Sequence, residues 1–356
     1  MKKKKLGKTT WLLLLAICVV SAAALALSAA FKTREKKESY DEALSAAMRM
    51  QSCMELIKKE KTERKIALAD EDIFGTGLIG EDYNDITTTS GDLPAKRTCA
   101  NPDMAAMMVF MLKEAGVGPG DCVGCNFSGS FPSLNIAVIC ACDEIGAKPV
   151  YISACGSSTW GANNPGLSFP EMAHLLYKAN LISEGPVLIT PGGSHDTVDG
   201  FESDDFKSVW DRVGKLGYPT YEEADFEKNV AYRKSILDKY DIDCFVAVGG
   251  HLASLGKGDT VYLLGQGLIK EETGGINPGS GLIEMYLNEG IPTALLLNIK
   301  KLALDYSLPF DPDALAAAGE SGVYYENVYP VYFIIAGIAI CIVLLIKIKL
   351  ICKLNK

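Results

Sequence analysis

Histidine is scarce in this chain, with three residues at positions 174, 195 and 251 in 356, which leaves little imidazole for metal ligation or proton relays. No low-complexity block interrupts a composition that is 48% hydrophobic and 22% charged. That balance excludes a disordered, collagenous or coiled-coil protein. Long apolar runs number only two, too few for a transporter. Neither terminal tail carries an acidic residue, so all 44 acids lie between the runs with 26 of the 35 basic residues. The intervening segment therefore carries a net −18, and nucleic acid is excluded as a partner.

The two runs are membrane spans by length. Trp11 to Phe31 is 21 uncharged residues, about 31 Å as a helix, the thickness of a bilayer core. Val328 to Ile346 is flanked by Tyr324, Tyr325 and Tyr329 on one side and by Lys347, Lys349, Lys353 and Lys356 on the other. That is an aromatic belt followed by a basic stop. Five lysines precede the first span, so both termini are expected in the cytoplasm, with the central domain outside the cytoplasmic membrane. Lys32, Arg34, Lys36 and Lys37 pull the other way, and a cleaved signal peptide is the competing reading of the first run.

The division expected is a basic tail 1–10, a span 11–31, a membrane-proximal helix and polar segment 32–86, and an α/β domain 87–312. A linker 313–327, a span 328–346 and a basic tail 347–356 complete it. Within 87–312 the pattern alternates. A helix opens at Pro102 with a stripe of Met104, Met107, Met108 and Met111, read as core. A strand 121–127, a Ser-Gly-Ser loop, a helix stopped by Gly146 and a strand 148–154 then form a βαβ unit, whose crossover implies parallel strands. Further strands are expected at 187–190, 244–248 and 292–299, with helices near 170–179, between 204 and 240, and at 282–288. The fold class is α/β, a mostly parallel open sheet of Rossmann-like type, with a transmembrane helix at each end. Eight cysteines fall between the two spans, yet their spacings give no disulfide framework. Cys122 and Cys125 point to opposite faces of a strand, so buried thiols are the plainer reading.

In open α/β sheets ligands bind outside the carboxyl ends of the strands. The segments there are rich in small polar residues: Ser128-Gly129-Ser130, Gly156 to Asn163 with Trp160, Pro191-Gly192-Gly193-Ser194-His195-Asp196, and Gly249-Gly250-His251. The first places N–H groups and two hydroxyls at a helix start, suited to a carboxylate, a phosphate or an oxyanion. It is neither a Walker A loop nor a G-x-S-x-G elbow, and a tight strand-to-helix turn explains it equally. A Ser/His/Asp set can be drawn from Ser128 or Ser130, His195 or His251, and Asp196 or Asp199, although four loops will nearly always yield one on paper. Asp196, Asp199 and His195 are too few to argue for a cation, so no metal is assigned. Lys96 beside Arg97 is a candidate positive site, and Trp160 can stack on a ligand or plug the core.

Read together, Thr89-Ser90-Gly91-Asp92-Leu93 with Ala95-Lys96-Arg97, Ser128-Gly129-Ser130-Phe131-Pro132-Ser133-Leu134-Asn135 and Ser158-Thr159-Trp160-Gly161-Ala162-Asn163 carry a resemblance. With Gly192-Gly193, Asp196, Gly249-Gly250 and Gly290-Ile291-Pro292, the segment from Thr87 to Pro312 resembles the membrane-associated poly-gamma-glutamate system protein family. The resemblance implies a bacterial cell-envelope protein of poly-gamma-glutamate capsule synthesis or export, partnered by the γ-glutamyl chain, the synthase membrane subunits and the lipid bilayer. It carries no chemistry to individual residues. The expectation is an accessory component whose cleft binds the polymer through Lys96, Gly129, Trp160, Asn163, Gly192, Gly193, Gly249, Gly250 and His251. The alternative is a γ-glutamyl hydrolase or transferase with Ser128 or Ser130 as nucleophile and His195 and Asp196 in support, and a third is a scaffold for the synthase. No cofactor is called for, because ATP is absent outside the membrane.

Overall fold

The computed structural model describes residues 7–193, 196–201, 203–258 and 263–354. In chain order its elements begin with α1 (Lys8–Ala30), β1 (Thr33–Lys36), α2 (Tyr40–Glu63), α3 (Leu93–Cys99) and α4 (Asp103–Ala115). Then come β2 (Cys122–Phe127), α5 (Pro132–Ile145), β3 (Lys148–Ala154), α6 (Phe169–Lys178), β4 (Leu188–Thr190), α7 (Asp204–Val213), α8 (Phe226–Leu237) and β5 (Ile242–Val248). The series ends with α9 (Leu252–Leu255), β6 (Gly267–Ile269), α10 (Leu282–Asn288), β7 (Thr293–Leu296), α11 (Ile299–Asp305), β8 (Tyr325–Val328) and α12 (Val331–Leu354). Two compact units result: one made of residues 1–37 with 325–356, the other of residues 38–324.

The terminal unit holds the two helices that are long and apolar enough to cross a membrane, with mean hydropathies of 2.6 and 2.8. They run antiparallel. Ser28 donates to the Pro330 carbonyl at 3.3 Å, Phe31 packs on Phe333, and Ser21 Oγ lies 3.6 Å from Cys341 Sγ. Close approach depends on small residues, as it does where helix pairs lie in lipid: a Cβ on Gly337 would come within 2.7 Å of the Ala24 Cβ. Beyond the helices, β1 pairs antiparallel with β8, Thr33 opposite Val328. The second helix starts at Val331 rather than Val328, because Val328 is in that ribbon and Pro330 disfavours helical backbone at the preceding Tyr329.

The unit 38–324 is an α/β fold around a six-stranded sheet of order β4-β3-β2-β5-β7-β6, parallel except for the edge strand β6. Strand residues alternate between faces. Val150, Ile152, Phe245, Ala247 and Leu295 point to one side, where Val230 and Leu237 of α8 and Leu282, Ile283 and Tyr286 of α10 complete a single core cluster. Helix α5 buries all but two of its residues, which its sequence requires, since it is apolar nearly all round; α2 and α4 cover it. The four methionines of α4 are fully buried, as a core stripe should be. The strand expected to reach Ile299 ends at Leu296, because Asn298 caps α11 by accepting from Lys301 N at 3.1 Å.

Replacing Ser21 by cysteine should give a rapid disulfide with the native Cys341 in the full-length protein in membranes, read as a mobility shift on non-reducing gels. Adding Gly337→Leu should abolish that crosslink.

Candidate functional site

The order of the sheet fixes where a ligand fits. From β2 the chain builds outward through β3 to β4, then returns to place β5 on the other side of β2. Where successive strands depart in opposite directions, the loops leaving the two central strands separate and open a crevice. A cavity of about 300 Å³ lies there. Its walls come from five segments: Thr88 and Thr89, Ser128 and Ser130 after β2, Gly156 after β3, Gly193 after β4, and Gly250, His251 and Leu252 after β5. Two further cavities share residues with it, one of about 510 Å³ through Thr88 and Gly193, the other of about 260 Å³ through Gly193, His251 and Leu252. Together they form a groove along the carboxyl edge of the sheet.

The serine loop is held tightly. Ser128 Oγ accepts from Ser130 N at 3.1 Å, Ser130 Oγ accepts from Ser158 N at 2.9 Å, and Asn135 Nδ2 donates to the Ser128 carbonyl at 2.8 Å. Gly129 has no room for a side chain, since a Cβ would sit 2.8 Å from the Gly156 carbonyl oxygen. Gly249, at φ +80°, turns its segment against Ser128 in a conformation that other residues adopt only with strain.

Behind Ser130 lies Lys96 of α3, 2% exposed. Its ammonium donates to the Ser130 carbonyl and, at 2.8 Å, to Ser158 Oγ, and sits 3.7 Å from the centre of the Phe131 ring. No described carboxylate pairs with it. Burial pushes its pKa down to about 7, against the weaker, opposing pull of Cys99 and Asp92.

The floor of the crevice is a buried polar network. Arg233, completely buried, pairs with Asp196 and donates to Asn229 Oδ1 at 2.7 Å, to Asn126 Oδ1 at 2.7 Å and to Thr190 Oγ1 at 2.8 Å. Asp196 also accepts from Gly192 N at 2.6 Å and from Asn229 at 2.7 Å. Burial alone would raise the Asp196 carboxyl, but the Arg233 charge and the contact with His251 hold it well below the usual carboxylate range. His251 Nδ1 accepts from Ala253 N at 3.2 Å, so in the neutral ring the proton sits on Nε2. That nitrogen is 3.8 Å from Asp196 Oδ1 and has no hydrogen-bond partner.

Of the residues expected at the site, Ser128, Ser130, Gly193, Gly250 and His251 line the central cavity, and Asp196 lines the adjoining one. Gly129, Gly192 and Gly249 shape the loops beneath. Neither serine hydroxyl bonds to His251 among the described residues. Trp160 is half-buried with φ 64°, and its N–H donates to the Glu81 carbonyl at 2.7 Å. Asn163 spends its amide on Glu81, Asp82 and Thr87, clamping the segment before α3. His195 and Ser194 lie outside the described residues, as does the Asp199 side chain. Sequence reasoning passed over Arg233, whose signal was its place between Val230 and Leu237 on the apolar stripe of α8. It also passed over Thr88, and it named Thr89 and Ser158 only within longer strings, without a role of their own.

All eleven cysteines are unpaired, and burial pushes the Cys244 thiol up to about 12 and Cys99 and Cys155 higher. No cluster of three or more His, Cys, Asp or Glu side chains among the described residues is placed to hold a metal ion. The chain matches no known family model, no curated protein and no solved structure.

Arg233→Met, which strands Asp196 as an unpaired buried charge, should cost about 3–5 kcal/mol in urea unfolding of the full-length protein. Lys96 acts in the opposite sense. Its folded pKa lies below that of the unfolded chain, so the unfolded state binds more protons between about pH 7 and 10. Stability should therefore rise with pH across that window, by up to about 1.4 kcal/mol per unit. Lys96→Met should flatten that slope, read from unfolding midpoints at pH 6.5 to 9.

Proposed function

We propose that this chain is a membrane-anchored accessory component of poly-gamma-glutamate synthesis or export, and that the unit 38–324 is its ligand-binding module outside the cytoplasmic membrane. On this reading the sheet is Rossmann-like and the groove at the strand reversal holds a γ-glutamyl chain contributed by the synthase membrane subunits. The observation that carries it is the convergence of the family-like strings on one crevice. Ser128, Ser130, Gly156 and Gly250 from those strings line it, and the adjoining cavities share Thr88, Gly193 and His251 with it, leaving room for a chain to continue beyond the central cavity. The central cavity is walled by hydroxyls, backbone groups and one imidazole, which suit the amides and carboxyls of such a chain, while Asp85, Asp196, Glu223 and Lys257 line the flanking cavities.

The second reading, a nucleotide-independent γ-glutamyl hydrolase or transferase, draws support from one contact. Lys96 titrates near neutrality and bonds Ser158, next to Ser130, so a basic amine stands close to a candidate nucleophile. Against it, no base among the described residues bonds Ser128 or Ser130.

Full-length protein in lipid nanodiscs, titrated calorimetrically with γ-glutamyl oligomers, should bind them, and Ser130→Ala or His251→Phe should weaken binding roughly 5- to 50-fold, as expected for one or two lost polar contacts. In parallel, polymer length and free amine should stay constant. Shortening that Ser130→Ala abolishes would establish the transferase instead, and absence of binding would leave a scaffold. For topology, a membrane-impermeant maleimide should modify Cys352 in inverted vesicles and spare it in intact cells, read by peptide mass.

A further inference from the structure

The central cavity has an electrostatic character that its surroundings lack. None of its described lining residues is acidic, although the segment between the spans carries a net −18. Its lining offers hydroxyls at Thr88, Thr89, Ser128 and Ser130 and, at His251, a buried Nε2 that hydrogen-bonds no described group and lies 3.8 Å from the Asp196 carboxylate behind it. Helix α5, 14 residues long, begins at Pro132, directly after the Ser128–Phe131 loop, so the positive end of its dipole falls on the same loop. One layer further in is the Lys96 ammonium. Buried charges in folded proteins are ordinarily paired with an opposite charge. Lys96 has two neutral oxygens and an aromatic face instead.

We propose that this cavity is an anion site and that Lys96 is the buried counter-charge for one carboxylate or phosphate group of the ligand. The inference rests on the cavity being the ligand site and adds the charge the ligand must carry. The groups facing Lys96 are few. Asp92 and Cys99 act from α3 and its N-terminal end. The loops after β2 and β3 present only the Ser130 carbonyl, the Phe131 ring and the Ser158 hydroxyl. An anion arriving beside Ser130 favours the charged amine, so binding draws a proton onto Lys96 wherever the free protein has lost it. Affinity is then level below about pH 7 and falls above it, by up to about tenfold per pH unit for one linked proton.

The test is calorimetric titration of the full-length protein in nanodiscs with acetate, inorganic phosphate, γ-glutamylglutamate and the N-acetylated, fully amidated form of that dipeptide, which carries no charge. Each is run at pH 6.5 and 8.5 in two buffers of different ionisation heat. The expected result is binding of the anions but not the amide, with proton uptake at pH 8.5 approaching one per ligand. Lys96→Met should remove both the uptake and the pH dependence, with circular dichroism confirming its fold. The wild-type buffer comparison stands whether or not that variant folds. Equal binding of the amide, absence of uptake, or no anion binding at all overturns the anion site. Binding of γ-glutamyl oligomers without proton uptake would sink the role of Lys96 and leave the polymer reading intact. Uptake with acetate or phosphate, but no gain in affinity for γ-glutamyl oligomers, would do the reverse. A preference for phosphate over carboxylate assigns the charge to a phosphorylated ligand or lipid headgroup.

Discussion

Everything at the carboxyl edge of the sheet depends on one buried guanidinium. Arg233 reaches Asn126 in β2, Thr190 at the end of β4, Asn229 on its own helix and Asp196 in the loop beyond β4, and Asn126 in turn binds Ser254 of α9 at 2.7 Å. Segments far apart in the chain are thereby fixed to a common point. Transferring such a charge from water is costly, and it is tolerated here because the donors find acceptors and Asp196 supplies the opposite charge. The network does for the loops what the ladder hydrogen bonds do for the strands. It is also why His251 and Gly193 stand in defined positions although they lie on turns.

Lys96 is the counterpart that the fold leaves incomplete. It is as deeply placed as Arg233 but meets no carboxylate, and burial shifts its titration to about 7. A site that keeps a charge uncompensated gives up stability when empty, and an anion bound beside it would restore that loss as affinity. The contrast between the two cations, one neutralised within the protein and one not, separates scaffold from site more clearly than the list of polar loops does.

Much of this was legible in the residues. The alternation of short apolar strands with amphipathic helices located β2, β3, β4, β5 and β7, and glycine-rich stretches after them marked the crevice. What escaped was decided by tertiary contact. Strand β6 is three residues long and exists because it pairs with β7; α3 looked like part of a polar segment because its buried face is Ala95, Lys96, Thr98 and Cys99 rather than an aliphatic stripe. Arg233 read as one more charge on a charged helix. Asn163, chosen as a ligand residue because it sits in a small polar loop, is consumed by backbone groups across the fold, which no local pattern reveals.

The terminal unit has a consequence for how the larger one is held. Because β1 pairs with β8 and the two apolar helices pack side by side, the chain leaves and re-enters that unit at adjacent points, and residues 38–324 form a loop closed by it. Such a loop is fastened twice. A protease cutting on one side, near residues 37–39, leaves the unit attached through residues 322–328, and only a second cut on the other side sets it free.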